Sequence, residues 1–376
     1  MGLLMKIVFV APRFHTNQYE AIRELKARGH SVEFHALLVG PTEDHSLLTP
    51  KIFAPCQFSL WLEKILGLGG ANHPRWFPNP WHYFRSLIQA KPDIIIIRES
   101  GRNFSRLAAL VSKLLGIRII FYDQVPLLKD RNRLSIIKRE FFLFALNAAL
   151  YTPIKGEDIN NGEPVKNAYY VPFAVSNNFL DRKSNSELKL LMIGKYHQPR
   201  KNHILFIDAL TALKEKYAFQ ATIVGECVND DQISRFQSIN DKIYQIGMQD
   251  RIVLKKNIPF SEMGNLYKSH DIFVLPSRDE PAAISILEAI GSGLPAICSN
   301  TCGTRFYIIN GKNGYVVKTD DLSDLIQKIE TLLNNSSHLL KMKEYCRDFY
   351  DQEISGSAYV KYLDALMRDR WNIKLE

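Results

Sequence analysis

The chain has 376 residues, of which 46% are hydrophobic and 23% charged, a composition that excludes a disordered or fibrous protein. This length exceeds what one compact core usually holds and predicts two domains. The net charge of +9 favours an anionic partner, such as nucleic acid, an acidic membrane face or a phosphorylated ligand. The sequence shows neither a signal-peptide cleavage pattern nor an apolar run of about 18 residues, so we expect a cytoplasmic protein.

The first half alternates short apolar strands with helical patterns. In chain order it offers "MKIVFVA", "EAIRELKARGH" and "SVEFHAL", and later "DIIIIRES", a helical "RLAALVSKLLG" and "IRIIFYD". This alternation is typical of parallel sheets that are covered by helices.

Two segments of the first half mix aromatic, aliphatic and basic residues. They are "CQFSLWLEKILGLGGANHPRWFPNPWHYFRSL" and "NRLSIIKREFFLFALNAAL". Such a composition suits peripheral contact with an anionic membrane. An ordinary helix packed on its own sheet explains the same pattern, and we favour that interpretation for the second segment.

The second half repeats the strand and helix alternation. It offers "LKLLMIG", a helix from about Lys201, "ATIVGE", "RIVLKK", "DIFVLPS", a helix in "RDEPAAISILEAIGSGLP", and "PAICS". We therefore predict an α/β protein with two Rossmann-like, doubly wound domains that face each other across a cleft. The expected boundaries are 1–175 for the N-terminal domain, 176–350 for the C-terminal domain and 351–376 for a final helix.

Basic residues follow the first strand of the second domain. The loop "KYHQPRKNH" gathers Lys195, Arg200 and Lys201 at a strand-to-helix junction, where open parallel sheets bind their ligands. The helix should begin near Lys201 or Asn202, and its free N–H groups would favour an anion such as a diphosphate. A solvated basic loop is the alternative interpretation.

The stretch "RDEPAAISILEAIGSGLP" contains Glu280 and Glu288. Pro281 suits the first position of a helix, so we predict Glu280 at the helix cap. Glu288 then lies ~12 Å farther along the helix, about the length of a sugar–diphosphate–ribose segment. One carboxylate would accept hydrogen bonds from sugar hydroxyls and the other from ribose hydroxyls. A simple cap and a buried, paired glutamate are the alternatives, although burying an unpaired charge is costly.

These two regions together resemble a known family. "RDEPAAISILEAIGSGLPAICS" resembles the E-x7-E motif of the retaining family-four glycosyltransferases, and "IGKYHQPRKNHILFIDAL" resembles their phosphate-binding loop, closest to that of bacterial phosphatidylinositol mannosyltransferases. "IVGE", "LYKSHDIFVLPS" and "NGKNGYVV" follow in the family's order. The resemblance covers most of 188–318 and matches the first half only in outline.

The resemblance implies the GT-B fold, in which the last helix crosses back to the first domain. It also implies a retaining transfer of a sugar from a nucleotide diphospho-sugar to a hydroxyl of a saccharide or lipid-linked acceptor. The expected setting is the synthesis of bacterial cell-surface polysaccharide or lipopolysaccharide. No cofactor or metal is implied. In the last helix, the apolar face would be supplied by Tyr359, Tyr362, Leu363, Leu366 and Trp371.

The resemblance also implies roles for individual residues. Lys195 and Lys201 would contact the donor diphosphate, with Arg200 beside them. Glu280 would hold the transferred sugar and Glu288 the ribose. The remaining donor-binding positions would bring backbone close to the phosphates, and they are Gly194, Ala283 and Ile284.

The first half departs from the family pattern. The loop "APRFHTNQYE" lacks the Gly-Gly pair that family members often carry, so acceptor recognition there must differ, with Arg13 and His15 as candidates. Family members also often place a histidine after the strand corresponding to "IIFYD". This chain has Tyr122 and Asp123 there, so Asp123 joins Glu280, Lys195 and Lys201 as a candidate catalytic residue, and Tyr122 is an acceptor-side candidate.

Three other functions remain open from the sequence. A nucleotide-sugar epimerase would share the two-domain architecture. A nicotinamide-dependent dehydrogenase is disfavoured because "KIVFVA" is not followed by G-x-G-x-x-G. A nucleic-acid-binding protein would explain the net charge, but no nucleic-acid module is recognisable, so we expect no nucleic-acid partner.

Overall fold

The computed structural model describes residues 4–14, 16–40, 44–66, 75–128, 133–156, 165–179 and 187–375. The chain forms two compact units. The first contains Met1–Ala174 together with Gly356–Glu376, and the second contains Val175–Ser355. Each unit is built on its own parallel sheet with helices.

The sheet of the first unit consists of short apolar strands. In chain order they are Lys6–Val10 (β1), Ser31–Ala36 (β2), Lys51–Ile52 (β3), Ile94–Arg98 (β4), Arg118–Tyr122 (β5), Ala148–Thr152 (β6) and Ala168–Tyr170 (β7). All neighbouring strands are parallel, in the order β3-β2-β1-β4-β5-β6-β7. β4, with the sequence IIIIR, is buried along its whole length, as is usual for strands in a sheet covered on both faces.

Helices connect the strands of the first unit. They are Tyr19–Ala27 (α1), Gln57–Leu66 (α2), Pro80–Ala90 (α3), Asn103–Leu114 (α4) and Arg133–Leu146 (α5). Side chains from α3, α4 and α5 join one buried cluster with β4 and β5, in which Tyr83, Phe104 and Leu143 are the large contributors. α3, α4 and α5 therefore form one layer over the sheet, and α4 packs against both of its neighbours.

The sheet of the second unit repeats this arrangement. Its strands are Leu188–Ile193 (β8), Phe219–Gly225 (β9), Ile252–Lys256 (β10), Ile272–Leu275 (β11), Ala296–Ser299 (β12) and Gly314–Val317 (β13). They are parallel in the order β10-β9-β8-β11-β12-β13. The strand order reverses between β8 and β11, so the loops after these two strands flank the point where such sheets bind ligands.

The helices of the second unit are His203–Leu213 (α6), Asp230–Gln245 (α7), Phe260–Lys268 (α8), Ile284–Ile290 (α9), Leu322–Asn334 (α10) and Ser336–Phe349 (α11). α6 follows β8 and α9 follows β11. These two helices therefore begin at the reversal point of the sheet.

The last helix, Gly356–Trp371 (α12), belongs to the first unit and packs against α1. Tyr359 is buried and shares a hydrogen bond of 3.2 Å with the hydroxyl of Tyr151. Tyr362 packs edge-on against Tyr170. These contacts arise from the apolar face that the sequence predicts for this helix. Within the described ranges, no helix combines the length and apolar character needed to cross a bilayer.

Candidate functional site

The loop after β8 places its basic residues at the end of that strand. Gly194 continues the strand, because its N–H donates to the Val224 carbonyl at 2.8 Å. Pro199–Lys201 form a short 3₁₀ turn, and Asn202, in a left-handed conformation with φ 60°, leads into α6. α6 begins at His203, one or two residues after the predicted start.

The side chain of Lys201 lies against Gly194. A Cβ atom at Gly194 would come within 3.0–3.2 Å of three Lys201 side-chain carbons, so any larger residue would push the lysine aside. His203 anchors the same loop through its Nε2 atom, 3.1 Å from the Gly194 carbonyl oxygen. Burial lowers the pKa of His203 to about 4, which keeps the imidazole neutral near pH 7.

The loop after β11 differs from the prediction. The expected helix start at Pro281 is wrong, because α9 begins at Ile284, with Ala283 as its cap. The Gly303 N–H donates to the Glu280 carbonyl at 2.7 Å, and a Cβ atom at Gly303 would lie 1.9 Å from the Pro281 carbonyl oxygen. This neighbouring backbone holds Glu280 and Pro281 outside the helix. Glu280 is therefore not the cap of α9, and the ~12 Å helical spacing to Glu288 does not apply.

Glu280 forms an ion cluster with the two cations of the β8 loop. Its Oε2 atom accepts a hydrogen bond from Lys201 Nζ at 2.6 Å and another from Arg200 Nη1. The carboxylate is only 5% exposed, whereas the Arg200 side chain is 37% exposed. Two cations share one carboxylate, so the cluster carries a formal charge of +1 and can accept a further anion.

Further contacts hold the two loops together. The Arg278 N–H donates to the Arg200 carbonyl at 2.7 Å. Asp320 accepts hydrogen bonds from Arg278 Nε at 2.7 Å and from Asn202 Nδ2 at 2.9 Å. The relative position of Glu280 and Lys201 is therefore fixed by backbone and side-chain contacts outside the ion cluster itself.

Lys195 lies on the exposed side of the β8 loop. Its Nζ atom is 2.5 Å from Glu226 Oε2, and its side chain is half exposed. Lys195 is thus outside the Glu280 cluster, with its own carboxylate partner at the end of β9.

Glu288 lies within α9 and is partly exposed. Its Oε2 atom accepts a hydrogen bond from the Tyr267 hydroxyl at 2.7 Å. Desolvation raises the pKa of Glu288, and the tyrosine hydrogen bond opposes this shift only in part. The sequence does not identify the partner of the Glu288 carboxylate. In the structure this partner is the neutral hydroxyl of Tyr267.

The first unit contains the remaining candidates. Asp123 accepts hydrogen bonds from the Ser100 hydroxyl at 3.0 Å and from Arg139 Nη2 at 3.1 Å. The Tyr122 hydroxyl accepts hydrogen bonds from Asn17 and Gln124, and burial raises the pKa of Tyr122.

Arg13 is exposed, and His15 lies outside the described residues. In the part of the chain that the structure describes, no group of three or more His, Cys, Asp or Glu side chains fits a metal ion. Metal-independent chemistry stays a prediction.

Several polar residues that contact the candidate residues are not among those predicted from the sequence. Arg139 comes from α5, Tyr267 from α8, and Glu226 follows β9. Of these three residues, only Glu226 could have been predicted from the sequence, since it follows a strand at the ligand-binding edge of the sheet.

The second unit matches a known family. Residues 177–349, a little less than half of the chain, match the model of the family described as "Glycosyl transferases group 1". This segment contains both loops that build the Glu280 ion cluster. The match supports neither the epimerase nor the nucleic-acid-binding alternative.

Two curated bacterial proteins are similar to part of this chain. The "UDP-Gal:alpha-D-GlcNAc-diphosphoundecaprenol alpha-1,3-galactosyltransferase" of Escherichia coli is 27% identical over 183 residues, which cover 46% of this chain and 43% of that protein. The "N,N'-diacetylbacillosaminyl-diphospho-undecaprenol alpha-1,3-N-acetylgalactosaminyltransferase" of Campylobacter jejuni is 29% identical over 168 residues, covering 44% of this chain and 41% of that protein. The similarity therefore spans less than half the length of these relatives.

The fold is shared over nearly the whole chain. The crystal structure of a glycosyltransferase from Rickettsia africae matches with a TM-score of 0.74 and 16% identity, covering 98% of both chains. Together with the two parallel sheets, this confirms the predicted GT-B fold with two Rossmann-like units.

Proposed function

We propose that this protein is a retaining glycosyltransferase that moves a sugar from a nucleotide diphospho-sugar to a hydroxyl of a saccharide or lipid-linked acceptor. The proposed setting is the synthesis of bacterial cell-surface polysaccharide or lipopolysaccharide. The match of residues 177–349 to the glycosyl transferase family supports the reaction class. The retaining outcome is supported by the resemblance to the E-x7-E motif.

The observation that carries this proposal is the ion cluster of Arg200, Lys201 and Glu280. Both cations contact the same oxygen of Glu280. An incoming diphosphate would offer these cations several oxygens in place of one. Glu280 would then be released from the cations and become free to accept hydrogen bonds from the hydroxyls of the transferred sugar.

This exchange also fits the chemistry of the reaction. When the bond between the sugar and the diphosphate breaks, negative charge grows on the leaving diphosphate. Cations that are already held in position stabilise this charge without reorganising at the moment of reaction. Lys201 meets this requirement best, because its side chain is largely buried and its partner loop is fixed. Lys195, which is more exposed, would add charge at the edge of the site.

The other proposed roles follow the resemblance. Glu288 would accept hydrogen bonds from the ribose hydroxyls, and Gly194 would let the phosphates approach the backbone, as would the amides at Ala283 and Ile284. On the acceptor side the candidates are Arg13, His15, Tyr122 and Asp123. Asp123 already has Arg139 as its ion-pair partner, so a direct role in the reaction would require that pair to open.

The names of the two curated relatives support a lipid-linked acceptor. Both describe transfer to a sugar carried on diphospho-undecaprenol. We extend this acceptor class to the present chain and keep the cytoplasmic location, with peripheral contact at the inner face of the membrane, as part of the proposal.

A thermal-shift screen tests the donor site. The melting temperature is measured in the presence of UDP, GDP, ADP or dTDP, or of the corresponding nucleotide sugars. Each measurement is made with and without magnesium. A ligand present at about 100 times its dissociation constant should stabilise the fold by about 2.7 kcal/mol. We expect at least one nucleoside diphosphate to do so without metal, and Lys201→Ala to abolish the effect. A flat screen in all conditions would overturn the proposed donor site.

A further inference from the structure

α5 is apolar on two opposite sides. One side packs on the core of the first unit through Ile136, Leu143 and Leu146. The other side carries four large apolar residues at helical spacing, and all are exposed: Leu134 (69%), Ile137 (52%), Phe141 (70%) and Phe144 (75%). We call these four residues the α5 stripe. The expectation that this helix merely packs on its own sheet accounts for only one of its two sides.

α2 carries a second stripe of the same kind. Phe58, Trp61 and Ile65 lie three and four positions apart, and they are 58%, 56% and 59% exposed. Phe58 and Trp61 stack on each other. In an ordinary helix of a soluble domain, one side is apolar and the other polar. These two helices instead present long apolar side chains to the outside.

The exposed apolar surface is concentrated in the first unit. Among the described residues, six exposed aromatic side chains lie in α2, α3 and α5, whereas Tyr244 is the only exposed aromatic side chain of the second unit. Trp81 of α3 is one of the six, and Arg85 lies over its ring. Scattered apolar residues are normal on a protein surface, but a contiguous stripe of three or four large, exposed apolar side chains indicates an interaction site.

The charge of the same helices identifies the partner. α2, α3 and α5 contain five Lys or Arg residues and two Glu residues, a net charge of +3. Lys64 of α2 and Lys138 of α5 are exposed on the two helices that carry the stripes. Large apolar and aromatic side chains mixed with basic ones fit an anionic lipid surface, in which rings enter the interface and cations contact the head groups.

We propose that the first unit docks on anionic membranes through the α5 stripe, with the α2 stripe as a second contact. The inference deepens the proposed function, since a lipid-linked acceptor would be met at this surface. It does not depend on sugar transfer, because docking needs only the exposed side chains and the lipid charge.

Co-sedimentation with vesicles tests the docking surface. The full chain is mixed with phosphatidylcholine vesicles that contain or lack phosphatidylglycerol, and nucleotide-induced stabilisation is measured on the same samples. We expect binding to the anionic vesicles that weakens with salt. The variant Phe141→Ser/Phe144→Ser should reduce it by roughly 10- to 150-fold, if each ring loses about half of its burial free energy.

Two further variants sharpen the comparison. Lys138→Gln should weaken anionic-vesicle binding by about fivefold and leave the response to neutral vesicles unchanged. The matched control is Ile233→Ser/Tyr244→Ser, which removes two exposed apolar side chains from α7 of the second unit and should bind vesicles like the parent. Both serine variants change exposed residues and should keep a cooperative melt.

Three results would overturn the proposal. If the parent does not bind anionic vesicles, the stripe is not a membrane surface. If it forms a dimer that Phe141→Ser/Phe144→Ser converts to a monomer, without vesicle binding, the occupant is a second copy of the chain. If neutral vesicles bind as well as anionic ones, the charge argument is wrong. A normal nucleotide response in these cases would leave the proposed donor site intact.

Discussion

Glu280→Gln perturbs the ion cluster with little change in side-chain size. In the parent, Glu280 is almost fully buried and neutralises one of the two cations that share its Oε2 atom. The amide cannot neutralise either cation. If a diphosphate replaces Glu280 as the partner of Arg200 and Lys201, this variant should therefore lose folding stability and keep, or improve, its affinity for the free nucleoside diphosphate.

The structure sets the size of these effects. The hydrogen bond from Lys201, whose side chain is 12% exposed, should contribute about 1.5–3 kcal/mol. Arg200 is more than one third exposed, so its contribution is discounted to about 0.2–1 kcal/mol. The expected loss of about 2–4 kcal/mol corresponds to a decrease in Tm of roughly 4–16 °C for a domain of about 150–250 residues.

Differential scanning calorimetry, titration calorimetry and a transfer assay measure the three consequences. Affinity for the free nucleoside diphosphate should stay unchanged or rise by up to about tenfold, because the ligand no longer displaces a carboxylate. Transfer should fall by roughly 10- to 150-fold, because the sugar hydroxyls lose a charged partner. The control is Glu330→Gln, which opens the exposed pair with Lys216 and should change neither binding nor transfer. A parent-like Tm, or tenfold weaker nucleotide binding, would refute the exchange.

Three further changes give distinct outcomes. Glu288→Gln should weaken the binding of the nucleoside diphosphate and of its nucleotide sugar alike in calorimetry. It should also raise stability at neutral pH, since the raised pKa of Glu288 makes the ionised carboxylate costly, and lower stability with normal affinity would assign Glu288 a structural role. Burial lowers the pKa of His203 from 6.5 to about 4, so between these pH values the unfolded chain binds a proton that the folded protein does not. Stability should therefore fall as pH drops through this window, by at most about 3 kcal/mol. Urea titrations should show a shallower fall for His203→Gln, and an identical pH dependence in the two proteins would contradict this account. Gly303→Ala should lower Tm and nucleotide affinity because its Cβ would lie 1.9 Å from the Pro281 carbonyl, whereas Gly101→Ala, which meets open space, should do neither.

The sheets were predictable from the sequence because their signal is local. A strand that is buried on both faces, such as β4 or β11, must be apolar at nearly every position, so it appears as a continuous run of Ile, Val, Leu or Phe. The alternation with helical patterns then favours a parallel sheet. The neighbouring positions of β8 and β11 follow from this doubly wound order, which brings the two candidate loops to one edge of the second sheet.

The start of α9 was not predictable in this way. Pro281 satisfies the local rule for a first helical residue. The competing contact comes from Gly303, more than twenty residues later in the chain, whose N–H binds the Glu280 carbonyl. A local rule contains no information about this backbone contact. The ion pair of Lys201 with Glu280, 79 positions apart, was equally outside the sequence, although the proximity of their loops was not.

The proposed ligands would explain the contrast between the surfaces of the two units. A nucleotide diphospho-sugar is charged and dissolves in water, so a unit that binds it needs buried cations such as Lys201 and can otherwise keep a polar surface. A lipid-linked acceptor stays in the bilayer, so the unit that meets it must approach the lipid surface. An exposed stripe such as Leu134, Ile137, Phe141 and Phe144 lowers solubility and contributes nothing to the core. Selection for folding alone would favour polar residues at these positions, and the proposed membrane contact would be a reason to keep them apolar.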